Sequence, residues 1–331
     1  MLGQVEGAGR ILPSPELLSY ATLALESIAS SRIEGTVASP DELVLFQLEP
    51  SGQSERVREV GNYNNAVQYG VSDVADRPVT LNFILELHAI LMTNVRGAKH
   101  AGRLKTAQNF IGQRPGDTIE DAIYVPPPPE ATPGLVSDFE KYLNMPQSEP
   151  ALVKHALAHY QFEAIHPFGD GNGRIGRLLI VLGLIQDGLI SSPIVYPSVY
   201  FDRNRDEYFR LLKEIQQNSA WQEWIDFFLR AIIEQSRSAL ALIDEISKLR
   251  IEVQRSIHGV RRSASAARVI DAFFAHPVRT VSEVASHAGV AVNTARSAVE
   301  ELVEQHVLRE VTGRKSHRAY VCEPIWRAIF K

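Results

Sequence analysis

Apolar residues recur at Leu17, Ala21, Ala24, Leu25 and Ile28, a spacing that places them on one side of a helix. Ser14, Pro15 and Glu16 read as an N-cap, a first-turn proline and an early acid, and Gly35 is a natural stop. Thr80 to Met92 predicts another helix. Helical patterns return over 133–144, 150–164, 173–187, 205–217 and 221–248. Strand signals are few. The best is Ala122 to Val125, directly before Pro126 to Pro129, a run that cannot be helix and must be extended. The pattern predicts a mainly α fold.

The texture changes near residue 260. Arg261 to Ser265 reads as a linker, and a compact pattern follows: a helix around 265–275, a short helix after Thr280, a turn at Ala288 and Gly289, and a helix around 293–306. Two short strands, 307–311 and 318–322, are joined by Thr312 to His317. Thr280 and Glu283 form a capping box. Residues 264–331 look like a winged helix-turn-helix, with 281–287 as the positioning helix, 293–306 as the recognition helix and 312–318 as the wing.

Composition narrows the class. The 331 residues are 45% apolar and 22% charged, ordinary for a globular protein and long enough for two domains. A net charge of −5 argues against generic nucleic-acid binding by the whole chain. From residue 260 on, however, eleven Lys and Arg face seven Asp and Glu. Asn293, Thr294, Arg296 and Ser297 could face DNA, with Arg314, Lys315 and Arg318 on the wing. Glu300 and Glu301 speak against it, so DNA contact and protein docking both stay open. Cys322 is the sole cysteine, which excludes a disulfide framework and fits a reducing compartment. No signal peptide and no membrane-spanning run are visible, so the expectation is a cytoplasmic protein.

The richest chemistry lies in the stretch from His166 to Arg177, His-Pro-Phe-Gly-Asp-Gly-Asn-Gly-Arg-Ile-Gly-Arg. Ile175, Leu178, Leu179, Leu182 and Ile185 predict an amphipathic helix packed by one face, so the loop before it leads into a helix N-terminus. Such an end offers free N–H groups and partial positive charge to an anion. Gly171 and Gly173 let the backbone approach a ligand, and Arg174 and Arg177 can reach the same side of the first turn. Two guanidinium groups beside an anion hole suit a polyphosphate. Asp170 is a hard oxygen ligand suited to Mg²⁺, and His166 is the group able to exchange a proton near neutral pH.

This stretch resembles the Fic motif, H-P-F-x-[DE]-G-N-[GK]-R-x-x-R, at every defined position. The resemblance extends to Ser30–Gly35, Glu59–Tyr63, Ala122–Pro127, Glu207-Tyr208 and Trp221–Trp224, and so covers most of residues 15–235. It implies an all-helical core with a small β-hairpin flap within 112–126. It implies a protein adenylyltransferase that moves AMP from ATP to a Ser, Thr or Tyr hydroxyl of a target protein. By this resemblance His166 is the base and Asp170 holds Mg²⁺. Gly171, Asn172 and Gly173 line the anion hole, while Arg174 and Arg177 hold the outer phosphates. Relatives that transfer phosphate or phosphocholine depart from the motif, and Gly173 favours AMP transfer. The implied organisation is an N-terminal helical region over 1–60 with an inhibitory motif, a catalytic core over 61–235, a helical linker over 236–263, and the domain at 264–331.

Ser30 to Gly35 resembles the family's inhibitory motif, [ST]-x-x-x-E-[GN]. The resemblance implies that Glu34 pairs with Arg177 and withholds it from the γ-phosphate, with Ser30 on the same helical face. Other readings are de-AMPylation using Glu34, or a DNA-binding regulator whose core senses nucleotide. The sequence leaves the target and a homodimer open. His155 and His159 are four apart, but Ala156 stands where a zinc protease needs glutamate; packed, hydrogen-bonded histidines are expected.

Overall fold

The computed structural model describes residues 1–11, 15–112, 117–146, 148–256 and 263–331. The expected N-cap Ser14, part of the expected flap and the linker arginines Arg261 and Arg262 lie outside the described residues.

The chain opens with α1 (Leu2–Ile11) and α2 (Pro15–Ile33), then α3 (Pro40–Leu48), α4 (Glu55–Asp73) and α5 (Leu81–Leu91). Ser39 and Glu42 close a capping box on α3, and the Thr80 side chain caps α5. The predicted helices then appear as α6 (Thr132–Asn144), α7 (Ala151–Ile165) and α8 (Asn172–Gln186), followed by α9 (Ser198–Arg203) and α10 (Arg205–Asn218). The long α11 (Trp221–Ser256) runs unbroken through residues 235 and 236.

One sequence expectation changes at the centre. The spacing in 173–187 predicts one packed face, yet α8 is buried on all sides, with even Arg174 and Arg177 at most 3% exposed. It packs against α2, α4, α5 and α7, so Val181 and Gly183 are enclosed along with the predicted stripe. A helix apolar nearly all round belongs in a core. Two buried apolar clusters flank it, one built on Phe83, Leu87, Phe162 and Phe168, the other on Phe201, Tyr208, Trp224 and Phe228. The helix that carries the phosphate-type loop is therefore rigidly seated.

The strand expected at Ala122–Val125 is reduced to a single antiparallel bridge between Ile111 and Tyr124. The prolines that follow have no N–H with which to extend a ladder. Tyr124 is anchored separately, its hydroxyl donating to the Ala164 carbonyl at 2.6 Å.

Beyond α11 come α12 (Ser263–Ala275), β1 (Val278–Thr280), α13 (Val281–Ala288), α14 (Val292–Glu304), β2 (Leu308–Glu310), β3 (Ala319–Cys322) and α15 (Glu323–Ile329). The strands form one antiparallel sheet in the order β1-β3-β2, with Val278 opposite Val321 and Leu308 opposite Cys322. Neither β1 nor α15 was expected from the pattern; each is too short to show a period. This unit packs directly on the N-terminal helices. Val44 of α3 is buried with Val278, Ala319, Val321 and Trp326, and the Tyr20 ring meets His276 edge-on at 4.8 Å. Among the described residues no helix is long and apolar enough to cross a membrane.

Candidate active site

α7 ends at Ile165, and His166 turns the chain with φ 48°, ψ 59°, a left-handed conformation unusual for a residue with a side chain. This swings the backbone into the loop 167–171, which several residues hold from outside. The Asn109 amide donates to the carbonyls of His166 (3.1 Å) and Phe168 (2.8 Å). Lys105 donates from its backbone to Pro167 and from Nζ to Asn109 and Ile165. From below, the His88 ring stacks on Phe168 at 3.8 Å. His88 Nδ1 accepts from the Gly102 N–H, so Nε2 carries the proton and donates to the Asp170 carbonyl at 3.1 Å. Burial pushes His88 down to about 4, which keeps that tautomer neutral.

The loop closes on α8. Asn172 pairs with both backbone groups of Phe168, each at 2.8 Å, so its side chain braces the loop. Gly171 caps the helix at φ 80°, a conformation that favours glycine. The Asp170 carboxylate accepts from the Gly171 N–H at 2.6 Å and is half exposed at the mouth.

Arg177 is fully enclosed. Its Nε donates to Ser30 Oγ at 2.9 Å, and one Nη reaches the Ser30 carbonyl at 2.8 Å and Glu34 Oε1 at 2.7 Å. Glu34 lies just past the end of α2, so Ser30 and Glu34 reach the same guanidinium from the helix and from the turn after it. Burial raises the Glu34 carboxyl, but the pull of Arg177 outweighs it and leaves Glu34 below the usual range. The carboxylate rests on the first turn of α8. A Cβ on Gly173 would overlap Glu34 Oε1 and crowd Arg177 at 2.9 Å. Arg174 is buried as well, 3.5 Å from both Glu59 and Asp170.

His166, Glu34, Gly173 and Arg177 line one cleft of about 770 Å³, walled by Ile123 and Tyr124 on one side and by Phe209 and Lys213 of α10 on the other. Burial drives His166 down to about 4 against the opposing pull of Glu34, so its imidazole is neutral at physiological pH. The arrangement provides a neutral imidazole, the first turn of α8 and the buried Arg177 on the cleft, with the buried Arg174 and the half-exposed Asp170 carboxylate next to that turn. That combination suits a polyphosphate substrate.

Two family models match the chain: the Fic/DOC family over residues 78–184 and the Fic/DOC family N-terminal region over residues 1–72. The chain belongs to the Fic/DOC family. It is similar to a probable protein adenylyltransferase of Aquifex aeolicus, 31% identical over 211 residues, covering 62% of this chain and 58% of that protein. It is also similar to protein adenylyltransferase Fic of Drosophila grimshawi, 31% identical over 188 residues, 55% of this chain and 35% of that one. The matches thus span less than two thirds of either relative. A Fic family protein from Desulfovibrio desulfuricans shares the fold over 97% of this chain and 93% of its own, with a TM-score of 0.59 at 20% identity.

Sequence reasoning missed several residues of this Fic site. His88, Lys105 and Asn109 lie 57 or more positions from the loop atoms they hold, at a spacing that carries no local signal. Glu163 was within reach of reasoning, because it stands three residues before His166 on α7. Its Oε1 is buried with no hydrogen-bond partner among the described residues, and it lines the same cleft. The histidine pair of α7 serves packing: His155 meets Asp187 at 3.0 Å and His159 meets the Tyr208 hydroxyl at 2.8 Å, both rings buried.

Proposed function

We propose that this chain transfers AMP from ATP to a hydroxyl side chain of a target protein and that Glu34 holds it in a resting state. The observation that carries the reading is the internal anion. A carboxylate is seated on the α8 N-terminus and bonded to Arg177, the place the loop chemistry assigns to a phosphate. The names of the Aquifex and Drosophila relatives support the same reaction.

In this reading the N–H groups of Asn172 and Gly173 at the start of α8 and the guanidinium groups of Arg174 and Arg177 bind and orient the polyphosphate. Asp170 would hold Mg²⁺. Its carboxylate is half exposed beside the anion hole, and one carboxylate plus phosphates is a usual Mg²⁺ arrangement. The ion would supply charge neutralisation to the phosphates. His166 takes the proton from the target hydroxyl as that oxygen bonds to the α-phosphorus. The bond from the α-phosphorus to the bridging oxygen breaks, and pyrophosphate leaves. Residues 110–112 and 123–124 border the cleft where a target backbone would pass.

For residues 264–331 we favour a winged helix-turn-helix unit used for docking within the chain. Arg314, one of the wing cations that could meet DNA, is paired with Glu49 after α3, and Arg309 of β2 lies 3.1 Å from Asp41 of α3. The outward side of α14 carries Glu300 and Glu304 beside Asn293 and Arg296. A cytoplasmic setting fits the lone, buried Cys322.

The test is incubation of the wild type and Glu34→Gly with α-labelled ATP, Mg²⁺ and lysate. Label on protein bands that strengthens in the variant supports the reading, and its absence from both rejects it. Release of AMP from a pre-labelled target by the wild type alone would instead favour de-AMPylation.

A further inference from the structure

The lock described above engages Arg177. The other motif arginine, Arg174, has a different neighbourhood. Arg174 is 4% exposed, yet its Nε and Nη1 have no hydrogen-bond partner among the described residues. Its closest carboxylates are Asp170, 3.5 Å from Nη2, and Glu59 of α4, 3.5 Å from Nη1. The guanidinium lies between them, within ion-pair range of both, with Nε and Nη1 hydrogen-bonded to neither.

That placement needs a cause. Asp170 sits in the loop two residues before α8, four positions ahead of Arg174 in its first turn, and its Oδ1 lies 3.5 Å from Arg174 Nη2. Left alone, they would close into a hydrogen-bonded pair. The pair would mask both the carboxylate available to a cation and the guanidinium available to a phosphate. Glu59 opposes this from the other side, and it cannot simply follow Arg174. Its Oε2 accepts from Thr36 Oγ1 at 2.7 Å, and Thr36 is itself fixed by its N–H to the Ser31 carbonyl at 3.0 Å. The Glu59 carboxylate is thus an anchored charge, 20% exposed, with its oxygen committed to the segment that follows Glu34.

We propose that Glu59 is a positioning residue, which holds Arg174 away from Asp170 and aimed at the anion hole, with Thr36 as its tether. The assignment rests on the reading of this cleft as a nucleotide site. It also means that one short segment, Glu34 to Thr36, governs both motif arginines, Arg177 directly and Arg174 through Glu59.

The experiment uses the full chain in the Glu34→Gly background, so that the lock does not obscure binding. ATP is titrated calorimetrically in EDTA, and KM and kcat for AMP transfer are then measured with Mg²⁺. Adding Glu59→Gln is expected to weaken ATP binding about tenfold, the scale of one charge-assisted contact of about 1.4 kcal/mol. KM should rise by the same factor with kcat within about twofold, and Glu59→Asp should restore most of the loss. Thr36→Val, which keeps the shape and removes only the hydroxyl, should weaken ATP binding a few-fold, and it decides the matter if Glu59→Gln does not fold. Unchanged or tighter ATP binding in Glu59→Gln, or in Thr36→Val where that variant must decide, overturns the role of Glu59. Failure of Glu34→Gly itself to bind ATP overturns the nucleotide-site reading and this inference with it.

Discussion

The Arg177 guanidinium and the Glu34 carboxylate meet at 2.7 Å on the first turn of α8, the arginine enclosed and the glutamate 38% exposed. The two side chains are 143 residues apart in sequence, and the arginine is 1% exposed. Breaking a buried pair by deleting one partner typically costs about 3–5 kcal/mol, and the exposure of Glu34 reduces that here. If about 2 kcal/mol of this holds the resting state, Glu34→Gly should raise AMP transfer roughly 10- to 100-fold. Arg177→Ala breaks the same pair but removes a phosphate-binding cation, so it should lose activity. Rates at saturating ATP decide. Equal gains in both variants would mean that simple loosening of the core activates the protein.

Gly173 is tied to the same contact. A Cβ there would overlap the Glu34 carboxylate, so Gly173→Ala should destabilise the wild type by about 1–3 kcal/mol, the usual cost of overpacking. In Glu34→Gly the obstacle is gone, and the same change should cost much less. A double-mutant cycle on urea unfolding measures the coupling. An equal cost in both backgrounds would show that the strain lies in the helix itself. Gly173→Ala should not gain activity, because its methyl group intrudes where the anion binds.

Much of this site was legible because its chemistry is local. The run from His166 to Arg177 places a base, an anion hole and two cations within twelve consecutive positions, and the 3.6-residue period marks the helix that follows. What lay beyond reach is what crosses the fold. The stacking of His88 under Phe168, the grip of Asn109 on the loop and the anchoring of Arg174 by Glu59 depend on packing between helices distant in sequence. The full enclosure of α8 was hidden for a related reason: Arg174 and Arg177 read as a polar face, and only the helices packed around α8, with Ser30 of α2 against Arg177, make that face internal. The strand signal at Ala122–Val125 shows the opposite failure, since β-branched residues suggested a ladder that yields one bridge.

His166 offers a pH test. Burial lowers it to about 4, so the neutral, proton-accepting form prevails down to that pH. The acid limb of AMP transfer should therefore fall near pH 4 to 5, below the 6.5 of a free histidine. Removing Glu34 removes a charge that raises this value, so Glu34→Gly should shift the limb further down. A limb centred at 6.5 would place the histidine in water. His166→Ala should lose on the order of 10²–10⁴ in rate while binding ATP normally, because the base acts on the incoming hydroxyl.

Glu163 should make stability fall as pH rises. Burial raises its carboxyl to about 7 from 4.5; Arg177 pulls it down and Glu34 pushes it up. The folded chain therefore holds this proton more tightly than the unfolded chain does. The resulting stabilisation is complete below about pH 4.5 and is lost as pH rises through about 7, at up to about 1.4 kcal/mol per unit. Glu163→Gln keeps the shape and cannot ionise. Its thermal midpoint, measured at pH 5, 6, 7 and 8 beside the wild type, should improve relative to the wild type at each step. Groups that titrate alike in both proteins, such as His159 and His166, cancel in the difference. Because Glu34 is one of the charges that raise Glu163, the same comparison in the Glu34→Gly background should show the window displaced to lower pH. A difference between wild type and Glu163→Gln that stays constant from pH 5 to 8 would show that Glu163 titrates like a solvated carboxylate, and an unmoved window in Glu34→Gly would show that the two carboxylates do not sense each other.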